Sequence, residues 1–551
     1  MKIRYSLMTV VFLLILLELC FAQWSTDPSE NARISAYGEG PFITTDGKGG
    51  GIIAWHYDYI VAQRIDSAGY LKWATNGVPI CRAKLNQSIK DIASDGQGGA
   101  YIVWLDFRRS VKPGYLMDSS DVYLQHVDSN GQVLWQENGM RISNGINYAF
   151  QAGMASDDSG GVVIAWASQY SYDYPVDNAI NLQRISSTGE FLWLEDSVKI
   201  LAPLFSQDPS MAIINDGNNG FIVSCSEGIF RFDMNGEITW HVADIPGRMT
   251  DYSLVSDGAG GAIFYYFNHN NFNYKFYIQR LNNEGVALWE ENGIFIDSGI
   301  PMKFMTSIVQ DREHGAYISW IDSSYIYHYD RIDSSGNLLW LEDNISFGFY
   351  LSDPNLLSDE QGNVICVFRD SLWNENGKMQ KLNNKGEEQW NNNGILFSCY
   401  AWVYSNYDMI SDGDNGIIIV WYERESEPHY GIFAQRVNKY GQLGMITSIK
   451  HPIETQLPSE YGLSQNWPNP FNSSTTIRFQ LPESNLVTLE IYNMMGQKIK
   501  TLINGEYKTG GFHLAHWDGR DDAGIQVSSG IYVCYFRAGK FFDSKKLILM
   551  K

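Results

Sequence analysis

The sequence predicts an all-β protein: a propeller of four-stranded blades, followed by a small, separate β-sandwich. Three observations carry this. An aspartate-glycine turn recurs at Asp46, Asp95, Asp157, Asp216, Asp257, Asp311, Asp359 and Asp412, with a mean period of about 52 residues, the length of a propeller blade rather than of a short solenoid repeat. A second turn closes on glycine in every copy (69, 131, 189, 236, 285, 336, 386, 441), and four residues beyond it stands Trp73, Trp135, Trp193, Trp240, Trp289, Trp340 or Trp390, with Met445 in the last copy. Third, an aromatic lies nine residues after the first aspartate in all copies but the fourth, which has Cys225. Eight repeats predict eight blades; seven blades plus an irregular element is the alternative.

Within each repeat the runs before and after the aspartate turn, the Gln-Arg run and the Leu-Trp run read as the four strands. D-G-x-G-G supplies the positive-φ positions that glycine takes without strain. The second runs (GIIAW, AYIVW, GVVIAW, GIIIVW) are nearly continuous in apolar residues, as strands covered on both faces are. Sheets stacked around an axis cover both faces and leave only short edges. The recurring tryptophans are then packing between blades. The first copy starts its own strand near Pro41 and the last ends in GQLGM, so each blade is expected to supply its own four strands.

Taken in order, the chain opens with a predicted signal peptide, residues 1–22: Lys2 and Arg4, an apolar stretch Leu7–Leu19, and Cys20-Phe21-Ala22 as the cleavage site. Leu17-Glu18-Leu19 lacks the small residue a lipoprotein site at Cys20 requires. The repeats occupy 27–449, a linker 450–462, and the sandwich 463–551. Five cysteines follow the signal, an odd number with no CxxC spacing, which reads as buried thiols. The net charge of −22 and the lack of a basic stripe argue against nucleic acid. After the signal no stretch approaches the ~20 apolar residues of a membrane helix.

In a propeller the first-to-second and third-to-fourth turns share one face. Here those turns are short, and the long inserts between second and third strands (Phe107–Asp121, Ser168–Asn178, Asn268–Tyr274, Glu423–Tyr430) fall on the other. Loops on a rigid scaffold carry binding. Tyr115, Asp118, Tyr170, Tyr172, Tyr174, Asp177, Asn270 and Tyr430 are therefore the candidate ligand residues, of a kind suited to a glycan or a protein.

No catalytic motif stands out: H-E-x-x-H, G-x-S-x-G and a Walker loop do not occur, and His513 and His516 have no third partner. The D-G-x-G-G turns lead into strands, not helices, so they are no phosphate cradles. A basic residue sits five before every second-turn glycine: Arg64, His126, Arg184, Arg231, Arg280, Arg331, Lys381 and Arg436. A ring gripping an anion is one reading. The preferred one pairs each with a carboxylate after the second run, such as Asp106, Asp322 or Asp370, because unpaired buried charge is costly. No cofactor is expected, and a calcium loop at Asp518, Asp521 and Asp522 is the one metal candidate. Secreted hydrolases and lyases also use propellers, and a structural spacer is a third class, but a non-enzymatic binding protein is the leading reading.

The last ninety or so residues carry Gln465-Asn466-Trp467-Pro468-Asn469-Pro470-Phe471-Asn472, then Ile491-Tyr492-Asn493, Trp517-Asp518-Gly519 and Ser529-Gly530-Ile531-Tyr532. This stretch resembles the C-terminal sorting domain of type IX secretion cargo, with an immunoglobulin-like sandwich similar to that of flagellar hook-capping proteins. Trp467 stands where that family more often has Tyr. The resemblance implies a sorting motif at Asn466, Pro468, Asn469, Pro470, Phe471 and Asn472, recognition by the type IX machinery, and a destination outside the outer membrane. Residues Asp66–Trp73 and Asp333–Trp340 are loosely similar to the quinoprotein repeat, while the sialidase Asp-box fails in spacing.

Overall fold

A computed structural model describes residues 24–444 and 461–550 apart from short internal stretches, the longest being 110–119, 170–177, 203–210 and 246–253. The chain is all-β and parts into two compact units at Ile446–Thr447.

The first unit is an eight-bladed propeller. Blade one is typical: Glu39–Thr45, Gly51–Tyr57, Tyr59–Ile65 and Val78–Cys81 form an antiparallel sheet in chain order. Blades two to seven repeat that order from the inner strand outward, and the inner strands touch their neighbours around a closed circle, with that of blade eight, Tyr407–Ser411, beside Glu39–Thr45. The circle is closed.

Two expectations about the strands are corrected. The Leu-Trp run is not the fourth strand in most blades. It makes a single bridge to the third strand, as Ile65 does with Leu71. The chain then bends at the Trp, and the fourth strand forms a few residues later. Only blade four keeps its Trp in that strand, Ile238–Val242.

Nor does every blade supply its own strands. The fourth strand of blade eight is the N-terminal segment Ala32–Ser35, paired with Tyr430–Val437 at Ala32↔Ala434 and Arg33↔Phe433. The repeat pattern of copy eight stops at Met445 with no tryptophan, and the chain start provides one. Trp24 is 2% exposed, and its Nε1 donates to Ser67 O of blade one at 3.0 Å. Gln435 Nε2 donates to Ser25 O (3.1 Å) and Asn31 Oδ1 (3.0 Å), holding the segment on blade eight.

This seam copies the joints between internal blades. Trp73 donates to Ser129 O (3.1 Å), Trp193 to Met234 O (2.9 Å), Trp240 to Asn283 O (2.9 Å), Trp289 to Ser334 O (3.1 Å), Trp340 to Asn384 O (3.3 Å) and Trp390 to Lys439 O (3.2 Å). Each acceptor lies in the second turn of the next blade. That turn's glycine rests on the indole: a Cβ on Gly131 would sit 2.8 Å from Trp73, and one on Gly441 2.7 Å from Trp390. The invariant glycine thus serves a close approach as well as a positive φ. The glutamine of the Gln-Arg run fixes the indole's backbone. Gln63 accepts Trp73 N (2.9 Å) and donates to Ala74 O (2.9 Å).

The second unit is an immunoglobulin-like sandwich. One sheet orders Gly462–Leu463, Thr475–Leu481 and Gly511–Trp517, and the other Lys498–Lys508, Asn485–Asn493, Gly530–Ala538 and Phe541–Leu549. Alternate residues such as Val487, Leu489 and Ile491 meet Ile477, Phe479 and Trp517 in the core, as inward-facing positions of two packed sheets do.

Candidate functional site

The eight basic residues do not form an open ring for an anion but pair with nearby carboxylates, although not with Asp106 or Asp322; Asp370 lies outside the described residues. Each pairs with the first-turn aspartate of its own blade: Arg64–Asp46 at 2.9 Å, His126–Asp95 at 2.9 Å, Arg184–Asp157 at 2.8 Å, Arg231–Asp216 at 2.6 Å, Arg280–Asp257 at 2.8 Å, Arg331–Asp311 at 2.8 Å, Lys381–Asp359 at 2.5 Å and Arg436–Asp412 at 2.8 Å. Register explains the correction. Asp106 lies opposite Asp121, whereas His126 lies opposite Tyr101, five residues down the strand and roughly 17 Å away at ~3.3 Å per residue. In five blades a second guanidinium nitrogen reaches the same neighbouring carbonyl as the Trp, as Arg64 Nη1 does with Ser129 O at 3.0 Å, so the pairs also tie blade to blade.

The acids that end the second strands are spent on neighbouring side chains, chiefly of their own blades, although Glu423 also accepts Ser398 Oγ of blade seven at 3.2 Å. Asp106 accepts Trp104 Nε1 (2.9 Å) and Arg108 Nη2 (2.5 Å), and the Arg108 guanidinium lies 4.1 Å over the Tyr123 ring. Glu423 accepts Trp421 Nε1 at 2.7 Å, and Asp322 meets His328 Nε2 at 3.3 Å. Asp121 takes Arg141 at 2.7 Å and Arg109 at 3.3 Å.

Two other carboxylates sit where no motif announced them. Asp91 and Asp408 occupy equivalent positions on inner strands, four residues before the turn aspartate. Asp91 accepts Met154 N (2.9 Å) from blade three, and Asp408 accepts Ile43 N (2.9 Å) from blade one. Each also accepts the amide of the following residue, at 2.8 Å. Both are half-buried on the inner strands, and desolvation there pushes the Asp91 pKa up to about 7 and the Asp408 pKa to about 6; the Asp408 charge adds to the rise at Asp91. They clip neighbouring blades at mid-height and do not stand on the long-loop face.

Of the candidate ligand residues, Tyr115, Asp118, Tyr170, Tyr172, Tyr174 and Asp177 lie outside the described residues. Asn270 and Tyr430 are placed by their backbones. Asn270 pairs with Asn273 at the tip of an extended hairpin, so the expected loop at Asn268–Tyr274 is mostly paired strand. Tyr430 opens a third strand opposite Arg424. All the inserts do leave the second strand and return to the third.

At Asp518–Asp522 the Asp521 carboxylate accepts Ala523 N (3.0 Å) and Ile525 N (2.8 Å), and Asp522 accepts Thr501 N (3.0 Å). Their oxygens thus serve a hairpin turn. No acid or histidine cluster suited to a metal occurs among the described residues.

The proposed sorting motif is a clip on the C-terminal strand. Phe471 N donates to Ile548 O (2.9 Å), Met550 N donates to Phe471 O (2.8 Å), and the Asn469 side chain joins Lys546 O (3.0 Å) and Ile548 N (2.8 Å). Asn466 Nδ2 donates to Thr475 Oγ1 at 2.9 Å, and the Phe471 ring packs 5.5 Å from Trp517. Pro468, Pro470 and Asn472 lie outside the described residues.

A β-propeller joined to such a unit defines a class: a protein exported to the cell surface or beyond it. Residues 465–550 match the family described as the secretion system C-terminal sorting domain. The chain therefore carries a type IX secretion sorting domain, which that machinery recognises. No match is found among curated protein sequences. Among solved structures, the chain is similar to PorZ of Porphyromonas gingivalis, described as an essential surface component of the type IX secretion system, at 10% identity and a TM-score of 0.29 over 91% of this chain and 74% of that one. It is also similar to a polysaccharide lyase described as an ulvan lyase, at 11% identity and a TM-score of 0.41 over 77% of this chain and 98% of that one. Likenesses this distant carry no argument about what the chain does.

Proposed function

We propose that this is a non-enzymatic surface or secreted protein whose propeller binds a glycan or a protein through its long-loop face, after a signal peptide at 1–22 and the sorting domain have taken it across both membranes. One observation supports this most: the buried acids at the described second-strand ends, Asp106, Asp322 and Glu423, each serve a neighbouring side chain, and the one acid that stands exposed there, Asp58 of blade one, has no such acid beside it in its two-strand turn. A hydrolase needs two carboxylates facing a shared substrate, roughly 5–9.5 Å apart. The paired turns on the opposite face are short and alike in every blade, which leaves variation, and with it selectivity, to the inserts.

The test is a glycan and surface-protein array probed with the full chain and with a variant whose 107–120 connection is cut to the short form of blade one. Binding by the full chain and its loss in the variant support the proposal. Release of new reducing ends or unsaturated uronates from a bound glycan overturns it.

A further inference from the structure

The wedge between blades six and seven departs from the repeat at two positions at once. The residue two before the second-turn tryptophan is apolar in seven copies (Leu71, Val133, Phe191, Ile238, Ala287, Leu338, Leu443) and acidic only at Glu388. The residue two before the Gln of the Gln-Arg run, or its equivalent, is Val61, Tyr123, Asn181, Gly228, Tyr277, His328 or Phe433 in the other blades and a lysine, Lys378, in this one alone. Both side chains line one cavity of about 340 Å³, together with Gln380, Gly348 and the rings of Phe347 and Phe368.

The geometry of the cavity is built, not incidental. Gln380 is 1% exposed, and its Nε2 donates to Glu388 Oε2 at 2.9 Å, so a core amide orients the carboxylate. Phe347 and Phe368 meet edge to face at 5.0 Å. Gly348, at φ 73°, lets Phe368 lie where any Cβ would be. The outer strand of blade six crosses to blade seven here, Phe349 pairing with Arg369, which makes the two blades one sheet. Phe368 closes a second strand and Lys378 opens the third, while Glu388 bridges Leu382 at the other end of that strand, so the cavity reaches from the long-loop end of the wedge toward mid-height.

We infer that this cavity holds one neutral sugar unit of a glycan, an inference that rests on the proposed binding role of the long-loop face and names its ligand. The volume is within the ~300–1,000 Å³ of small-ligand sites. A pyranose presents C–H groups to the negative faces of the two phenyl rings. Its hydroxyls donate to Glu388 and accept from Lys378, each hydroxyl being able to do both. One cation and one anion leave the lining without net charge, and Glu388 together with the chain's net −22 disfavours uronates and sulfated sugars.

The experiment measures binding of the full chain to two panels, neutral oligosaccharides (glucans, mannans, galactans and N-acetylglucosamine oligomers) and uronate- or sulfate-bearing ones. Glu388→Leu restores the residue type of the other copies and keeps the fold, and Phe347→Ala removes one ring. Binding confined to the neutral panel, weakened about tenfold or more by either change, with an unchanged melting temperature for Glu388→Leu and with Phe347→Ala measured well below its own lowered one, supports the inference. Neutral binding untouched by both variants sinks the cavity while leaving the long-loop face standing. Preference for the anionic panel overturns the ligand class, and capture of protein alone overturns the glycan reading but not the binding role.

Discussion

Replacing Trp24 with alanine tests the ring where it is joined. The indole is 2% exposed, packs with Ile34, Ile53, Trp55 and Ile432, and donates to Ser67 O. Truncating a buried tryptophan costs about 3–5 kcal/mol, and Ser67 O keeps its bond from Arg436 Nη1 (2.9 Å), so the loss should be roughly 3–5 kcal/mol. That is a large share of the ~5–15 kcal/mol that holds a folded domain together. Urea unfolding followed by circular dichroism should show a lowered midpoint for the propeller transition and an unmoved one for the sorting domain. Amide exchange should speed up first in Ala32–Ser35 and Tyr430–Val437, the strands of the seam. Trp24→Phe, which keeps most of the packing and loses the hydrogen bond, should fall between. If Trp24→Ala shifts the midpoint no more than Leu134→Ala, whose side chain is already 44% exposed, the N-terminal segment does not close the ring.

Three further outcomes follow from the geometry. Asp91 and Asp408 hold folded pKa values near 7 and 6 against 3.8 for the free group, so the folded state binds more protons than the unfolded one between those limits. Stability should therefore rise as pH falls from about 8 to about 5, and Asp91→Asn should flatten that slope; in stronger acid it should fall again as Asp95 and Asp359 protonate, since burial there is outweighed by the hydrogen bonds from His126 and Lys381, which hold both carboxyls below the usual range. Asn469→Ala removes two hydrogen bonds to the terminal strand and should free residues 546–550 to protease and reduce the exported fraction, with Asn469→Asp, which keeps the bond from Ile548 N, in between. Blade two alone carries histidine among the ring cations, and His126 Nδ1 and Trp135 Nε1 are buried without a partner; His126→Arg should restore the bridge to blade three, raise stability by roughly 1–2 kcal/mol, and slow amide exchange in Tyr148–Ser156.

Much of the fold was legible because each joint repeats its parts. Aspartate, glycine and tryptophan recur at fixed offsets, and the indole that binds one neighbour needs the glycine of the next. What the pattern hid is what a single repeat cannot contain. Met445 in place of the eighth tryptophan was the one sign that a joint was completed from elsewhere, and Trp24, outside any repeat, was the residue to match with it. The fourth strand was misplaced because the Leu-Trp run alternates like a strand while the bend at the indole is set by Gln63 and its equivalents, which only register reveals. The partners of the basic residues were recoverable in principle: they stand near the short turns, at the opposite end of the strand from Asp106.

The site was less legible than the scaffold. Tyrosine and asparagine in the long inserts mark surface without fixing geometry, whereas a cavity arises from the meeting of two blades. Glu388 and Lys378 were visible as departures from the repeat, yet their joint position beside Phe347 and Phe368 depends on the crossing of the outer strand of blade six. Asp91 and Asp408 carry no motif at all, and burial between inner strands is what sets them apart.

The closed eight-bladed ring is tested most directly by a covalent link across its seam. Ala32 and Ala434 face each other in the register of the closing strands, and antiparallel partners stand about 4.5–5.5 Å apart, within disulfide reach. In the doubly substituted chain, Ala32→Cys with Ala434→Cys, oxidation should form one intramolecular bond in nearly every molecule. It should also raise the unfolding midpoint and change mobility on a non-reducing gel. If no bond forms in the folded protein, or only bonds between chains do, the two ends do not meet and the ring is open.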